Sequence, residues 1–486
     1  MDPKTRKIID LFEEISRIPR CSKKEEQISR WLCHWAEQRG YSVTADATGN
    51  LVIQVPATAG REKAPVVILQ GHMDMVCEKR DDSKHNFATD PIQFVTNGQW
   101  LSARDTTLGA DNGIAIAMAL ALVDDPQVSH PPLELLFTVD EETGLTGVKE
   151  MDASLLSGRR LINLDSEDEG VFVVGCAGGR DTILRRILET DPLSDNDTLV
   201  DIAASGMKGG HSGIDIDKHR ANANKVIARL LAAGMQVAPF RLVDVEGGTG
   251  RNVIPRASRA VVAIAKGKVH ELLEGLQAMA DSLKRAYSTT DPDLTIHLEI
   301  KEPSPKTAAC ICPTDTSRLV DLLLALPSGP IEMEWAFPSM VQTSVNLAMV
   351  EVDNSELVVT TSQRSSIPFE LDMACFTVEA VGRLAGASVQ SGKGYPPWPM
   401  DRESVLLERC TALYKELFGQ DPIIQTMHAG LECGVIGNLC PGMDMISIGP
   451  TLENPHSPSE RLHLPSVEKV WQLMVALMQS FKDEIG

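Results

Sequence analysis

Histidine and carboxylate side chains recur at the ends of apolar runs in this sequence, and imidazole with carboxylate is a donor set for divalent cations. In VVILQGHMDMV, His72 and Asp74 follow an apolar, strand-like run. Residues two apart on an extended segment point the same way, so one can ligate an ion while the other holds the imidazole by its second nitrogen. A satisfied surface pair explains the same spacing. TLGADNG sets Asp111 at the start of a helical run, where a carboxylate either caps the helix or ligates. LLFTVDEETG is more informative, because Asp140, Glu141 and Glu142 repel one another unless a cation compensates. Adjacent side chains at a strand end diverge, so one can bind metal while its neighbour faces substrate water; a solvated acidic turn is the bland alternative. LINLDSEDEG ends another apolar run at Asp165, and His456 lies in the Pro-flanked TLENPHSPSERLHL after ISIGP.

Five such strand-end signals together point to a two-metal centre. Two divalent ions carry about four positive charges; Asp111, Glu142 and Asp165 balance roughly three, and a bridging hydroxide roughly one more, with His72 and His456 neutral. Mixed imidazole and carboxylate ligation suits Zn²⁺, with Mn²⁺ or Co²⁺ as substitutes.

The elements that must position these residues alternate. Glu25 to Gly40 carries Ile28, Trp31, Leu32 and Trp35 at helical spacing and ends on Gly. SVTAD and LVIQV flank a turn and read as a hairpin. APVVILQG, a helix from Asn112 to Val123, LELLFTV, a short helix near Thr146 and RLINLD follow. Apolar strands separated by helices predict an α/β layer with a mainly parallel sheet, whose ligands gather at the carboxyl ends of its strands. From about Asp181 strand-like pieces flank long helices at Ala221–Ala233 and Val269–Ala286. GTGRNVIPRASRAVVAIA with its following helix echoes QTSVNLAMVEVDNSELVVTTSQR with the helix at Leu371–Leu384, aligning Asn252 with Asn346. Two α+β units of ordinary size would fill this region. After GKGYPPWPMD the α/β texture returns, so residues 1–180 and 396–486 read as one discontinuous domain interrupted by 181–395.

Composition bounds the function. The net charge of −21 argues against a nucleic-acid partner, which calls for a basic stripe. The longest apolar run, Gly113 to Val123, is far short of the roughly 18–20 residues of a membrane span, and the amino terminus carries no apolar signal region. The ten cysteines form no C-x-x-C pair and read as reduced thiols in a cytoplasm.

GHMDMV, TLGADNG, Glu141-Glu142, NLDSE and PHSP resemble the motifs of the M20 metallopeptidases, from the first helix to the last. CAGG, GMKGGHSG, RNVIPR, HAGLECG and DMISIGP resemble its dipeptidase branch, whose substrates include Xaa-His dipeptides. The resemblance implies a zinc-peptidase catalytic domain with an α+β lid over the site, a homodimer, and short peptides as substrates. It implies that Asp111 bridges two zinc ions, that His72 and Asp165 complete one ion, and that Glu142 and His456 complete the other. Glu141 matches the general base and Asp74 the acid that orients His72. In the lid, His211 matches a histidine that reaches the scissile carbonyl, while Asn252 and Arg364 fall where relatives hold the substrate backbone and terminal carboxylate. A related N-acyl amino acid amidohydrolase or a tripeptidase would use the same centre, and a metal-binding protein without catalysis is the reading from another class; the presence of Glu141 disfavours the last.

Overall fold

A computed structural model describes residues 2–302, 309–335 and 338–482. The chain forms two compact units, one of Met1–Cys176, Trp398–Thr426 and Leu431–Gly486, the other of Ala177–Pro397 and Met427–Gly430.

In the first unit, continuous apolar runs become the strands of an eight-stranded sheet. Their order is Ser42–Ala45, Leu51–Val55, Leu133–Thr138, Val67–His72, Arg160–Asn163, Asp444–Ser447, Val171–Cys176 and Ile423–Met427. The four central strands, from Leu133–Thr138 to Asp444–Ser447, run parallel to one another. Ser42–Ala45 and Leu51–Val55 join antiparallel on one side, and Val171–Cys176 meets Asp444–Ser447 antiparallel on the other, so the sheet is mixed around a parallel centre. The reason is local: the tight turn after Ala45 returns the chain as a hairpin, whereas parallel neighbours need a long crossover. Every residue of Val67–His72 and Leu133–Thr138 is buried, as expected for strands covered on both faces. Ala110–Val123 packs on this sheet and is apolar around its circumference; Ile114, Ile116, Leu120 and Leu122 are at most 1% exposed. Burying each contributes about 1.5–3 kcal/mol. Register sets His72 opposite Thr138 and Gln70 opposite Asn163, so the strand-end motifs emerge along one edge.

The cysteine expectation needs one correction. Cys21 and Cys77 form a disulfide with Cα atoms 5.7 Å apart. They lie 56 residues apart in sequence, and a parallel bridge between Cys21 and Met75 brings them together, which no spacing rule reveals. The other eight cysteines are free.

The second unit is built on an antiparallel sheet ordered Thr295–Lys301, Asp197–Ser205, Ser258–Ala265, Arg241–Gly247, Val341–Asp353, Glu356–Ser365, Gly178–Ile187 and Ser388–Ser391, with Gly329–Met333 added against Val341–Asp353. Its topology is a β-α-β-β-α-β unit used twice. One copy runs Asp197–Ser205, helix Ala223–Val237, Arg241–Gly247, Ser258–Ala265, helix Val269–Ala286 and Thr295–Lys301. The other takes Gly178–Ile187, then helix Pro313–Ala325, Val341–Asp353, Glu356–Ser365, helix Pro368–Leu384 and Ser388–Ser391. The first copy is therefore nested between the first strand and first helix of the second. Equivalent strands meet antiparallel, Glu246 opposite Glu351, and the equivalent helices Ala223–Val237 and Pro313–Ala325 pack together. Asn252 and Asn346 are not equivalent in this repeat: Asn346 lies inside a strand, whereas Asn252 lies in the connection that follows the equivalent strand. Amphipathic strands resemble one another closely enough to shift a motif alignment.

Candidate active site

At the carboxyl edge of the parallel strands one carboxylate stands between two imidazoles. His72 Nε2 is 3.0 Å from Asp111 Oδ1, and His456 Nε2 is 3.0 Å from Asp111 Oδ2. Asp165 Oδ1 lies 3.5 Å from His72 Nε2, and Glu142 Oε2 lies 3.1 Å from His456 Nε2. Ligand atoms of His72, Asp111 and Asp165 come within 4.8 Å of one another, as do those of Asp111, Glu142 and His456. Donors about 2.0–2.1 Å from a tetrahedral ion are separated by about 3.3 Å, so these spacings fit two cations sharing Asp111. Asp111 does not cap its helix. Its side chain makes no capping hydrogen bond; each of its two oxygens faces an imidazole instead.

The loops that carry these side chains are held by buried polar groups. Asp74 Oδ1 lies 3.3 Å from His72 Nδ1 and accepts the Glu141 amide at 3.0 Å, while Oδ2 accepts Ser22 Oγ at 2.7 Å and the Glu142 amide at 3.3 Å. One carboxylate thus holds the imidazole together with the backbone of Glu141 and Glu142. Asp140 groups instead with Asp74 and Glu25: it adopts φ 49°, accepts the Thr143 hydroxyl at 2.6 Å, and its carboxylate lies within 4.8 Å of theirs. Asn112 Oδ1 accepts the His72 amide at 3.1 Å, and a Cβ at Gly71 would stand 2.4 Å from that oxygen, so only glycine fits there. Glu460 accepts the amides of Leu108, Gly109, Ala110 and Asp111 at 2.7–3.3 Å. Arg20, 2% exposed, donates to the carbonyls of Met73, Asp74 and Gly109. Neither Arg20 nor Glu460 stood out in the sequence.

The electrostatics demand cations. Burial raises the Asp111 carboxyl, but hydrogen bonds from His456 and His72 overcome it and leave it far below the usual carboxylate range. Bonds to Asp111 and Glu142 push His456 up to about 11. Burial alone would lower His72, yet Asp165, Asp111 and Asp74 raise it well above an ordinary imidazole. Burial, then neighbouring carboxylates, lifts Glu142 to about 7 and Glu167 to about 8, and burial raises Glu141 well above its usual value. Glu142 Oε1 is buried without a partner. Such a cluster holds protons wherever metal ions would otherwise supply positive charge.

The second unit gathers the remaining candidates into a polar cluster. His211 pairs with Val253 in a two-residue ladder, and its Nδ1 accepts the amides of Gly213 and Ile214 at 3.2 Å, which leaves Nε2 as the proton-bearing nitrogen. The Asn252 carbonyl accepts the Ser212 amide at 2.8 Å. Arg364, 7% exposed, donates to the Tyr395 hydroxyl at 2.7 Å and pairs with no carboxylate among the described residues. Beside it, His428 lies 2.8 Å from the Ser344 hydroxyl; burial, then the Arg364 charge, pushes it down to about 3. One buried cation among neutral donors suits a single carboxylate. His428, Ser344 and Tyr395 were missed from sequence; HAGLECG carried the signal, but only as a signature.

The profile of peptidase family M20/M25/M40 matches residues 68–480. The chain is 38% identical over 470 residues to the cytosol non-specific dipeptidase of Escherichia coli (strain K12), covering 97% of this chain and 96% of that protein. Among solved structures it resembles aminoacylhistidine dipeptidase from Vibrio alginolyticus at TM-score 0.90 and 36% identity, over 100% of this chain and 98% of that one. Aminopeptidase PepT from Bacillus cereus shares the fold at TM-score 0.57 and 16% identity, over 98% of each chain.

Proposed function

The chain belongs to the M20/M25/M40 peptidase family, a family of peptide-bond hydrolases, and we propose that it is a metal-dependent dipeptidase whose substrates include Xaa-His dipeptides. The observation that carries this reading is the Asp111 carboxylate with one imidazole on each oxygen. In it, Asp111 would serve both ions, with His72 and Asp165 holding one and Glu142 and His456 the other. The donor chemistry favours zinc, with manganese or cobalt able to replace it. Bound there, the ions would polarise the scissile carbonyl and acidify a water. Glu141 takes the proton of the attacking water and delivers it to the leaving amine. Burial raises its carboxyl, as suits a group that must hold the proton between the two steps.

In the same reading the second unit is a lid. His211 donates from Nε2 to the developing oxyanion, Asn252 holds the substrate backbone, and Arg364 clamps the terminal carboxylate with two parallel hydrogen bonds. The buried, acid-free guanidinium of Arg364 supports this, as does the neutral imidazole of His428 beside it. A homodimer with each site complete in one chain, and a cytoplasmic location, belong to the proposal too. The eight free thiols and the name of the Escherichia coli relative support the location; the Cys21–Cys77 bond is the feature a reducing compartment would oppose. Metal content measured alongside hydrolysis of Xaa-His and other dipeptides, tripeptides and N-acetyl amino acids tests the reading. Two ions and a preference for dipeptides are expected. Faster turnover of tripeptides or N-acetyl amino acids would replace it with the tripeptidase or amidohydrolase alternative.

A further inference from the structure

Beneath the residues that face the proposed ions lies a second polar layer, which the proposed reaction does not use. Gln70 and Asn163 are register partners on adjacent parallel strands, each two residues before a candidate ligand, His72 and Asp165. Asn163 Nδ2 donates to Gln70 Oε1 at 2.6 Å, and Gln70 Nε2 donates to Glu432 Oε2 at 2.6 Å. The same oxygen accepts the hydroxyl of Thr138, the register partner of His72, at 2.7 Å. All four side chains are at most 1% exposed, and their strand neighbours Leu69, Leu135 and Ile162 show that the site could have been filled with apolar groups.

A carboxylate is an expensive choice at such a place. Among the described residues Glu432 has no cationic hydrogen-bond partner, and its Oε1 is buried without any. Burial pushes its carboxyl up to about 7; His72 opposes that shift, while Asp165 and Asp74 add to it. Glu141 also feels its charge, and from its own helix it faces Cys433. A group so costly, shared by donors from two strands and linked to a third, is placed to fix the distance between strand ends.

We propose that Glu432 is a positioning residue of the metal centre: as the one acceptor shared by Gln70 and Thr138, and through Gln70 tied to Asn163, it sets the spacing at which His72 and Asp165 present their ligand atoms. The inference rests on the metallopeptidase reading above. It requires an acceptor at this point, not a charge.

The test compares the metal-free full-length wild type with Glu432→Gln, Glu432→Ala and Thr138→Val. Zinc affinity is measured by chelator competition, and the geometry of the site by the visible spectrum of bound Co²⁺, with thermal unfolding as the control for folding. Glu432→Gln keeps a carbonyl oxygen in the same volume and should retain affinity within about threefold and the wild-type spectrum. Glu432→Ala should bind zinc about 10–100-fold more weakly, with an altered cobalt spectrum. Should Glu432→Ala fail to fold, Thr138→Val removes one tie without opening a cavity, and about threefold to tenfold weaker binding is expected. A folded Glu432→Ala or Thr138→Val protein with wild-type affinity and spectrum would overturn the inference, as would a Glu432→Gln protein as impaired as Glu432→Ala. Wild-type protein that takes up no cobalt would instead overturn the metallopeptidase reading itself.

Discussion

Replacing Glu460 by Gln tests whether one buried carboxylate holds the Asp111 loop. Its Oε2 accepts the amides of Leu108 at 2.7 Å and Gly109 at 2.9 Å, and its Oε1 accepts those of Ala110 at 2.8 Å and Asp111 at 3.3 Å. The amide has the same shape, so no cavity opens, but its NH₂ group cannot accept a hydrogen bond. One pair of backbone donors is then left facing another donor at a side chain only 2% exposed. Hydrogen bonds to a charged group contribute about 1.5–3 kcal/mol each, so losing two destabilises the loop by about 3–6 kcal/mol. Burial lowers the Arg20 guanidinium to about 10 and Glu460 is the charge that opposes this most, so neutralising Glu460 also weakens Arg20 on the same loop. At about 1.4 kcal/mol per factor of ten, the loop should open about 10²–10⁴-fold more often. Native-state hydrogen exchange at the four amides of Leu108–Asp111, in metal-free wild type and E460Q, reads this directly. Global denaturation is less suitable for a chain of two units. Protection unchanged within about threefold at all four amides would refute the argument.

Metal-free protein should lose stability as pH rises from about 5 to 8. The unfolded chain releases carboxyl protons near 4.5 and imidazole protons near 6.5, whereas the folded site still holds them at Glu142 and Glu432 (about 7), Glu167 (about 8) and His456 (about 11). Folding therefore takes up protons across that window. Calorimetry in the presence of chelator should show a falling transition temperature, and a rising one would contradict the shifts. Glu141→Ala should keep its metals and lose about 10²–10⁴-fold in turnover; loss of metal measured on the same sample would make Glu141 a ligand. Asp74→Ala should weaken metal retention about 10–100-fold, and Asp111→Ala should do worse because both imidazoles lose a shared partner. Two metals and normal turnover in Asp111→Ala would restore the helix-cap reading. Mixing His211→Ala chains with Glu141→Ala chains should yield no activity if each site is complete in one chain; recovery on mixing would show that His211 crosses between subunits.

The strand-end residues were legible because continuous apolar runs such as VVIL and LELLF break off abruptly into His, Asp and Glu, a one-dimensional signal of a buried strand meeting an edge. What braces them was not. Glu460 sits in SPSER, which reads as an exposed turn, and its role appears only when four amides about 350 residues away close around it. Glu432 likewise looks like an ordinary helix-start acid, although its donors come from strands that end before residue 140. The Cys21–Cys77 bond depends on a backbone bridge that composition cannot encode. Asp111 was ambiguous in sequence because capping and ligation favour the same residue at the same place; only the imidazole on each of its oxygens decides between them.

The nested repeat of the second unit has a consequence for synthesis. Strand Gly178–Ile187 pairs with Glu356–Ser365 and Ser388–Ser391, both made about 170 or more residues later. At about 5–20 residues per second, that strand leaves the ribosome roughly 10–30 s before its first partner. The copy within Asp197–Lys301 has all its strands from one continuous stretch and can close first. Its edge, Arg241–Gly247, is then ready to receive Val341–Asp353. The early half thus serves as a template for the late half, and a mutation that slows its closure prolongs the exposure of an unpaired ten-residue strand to neighbouring nascent chains.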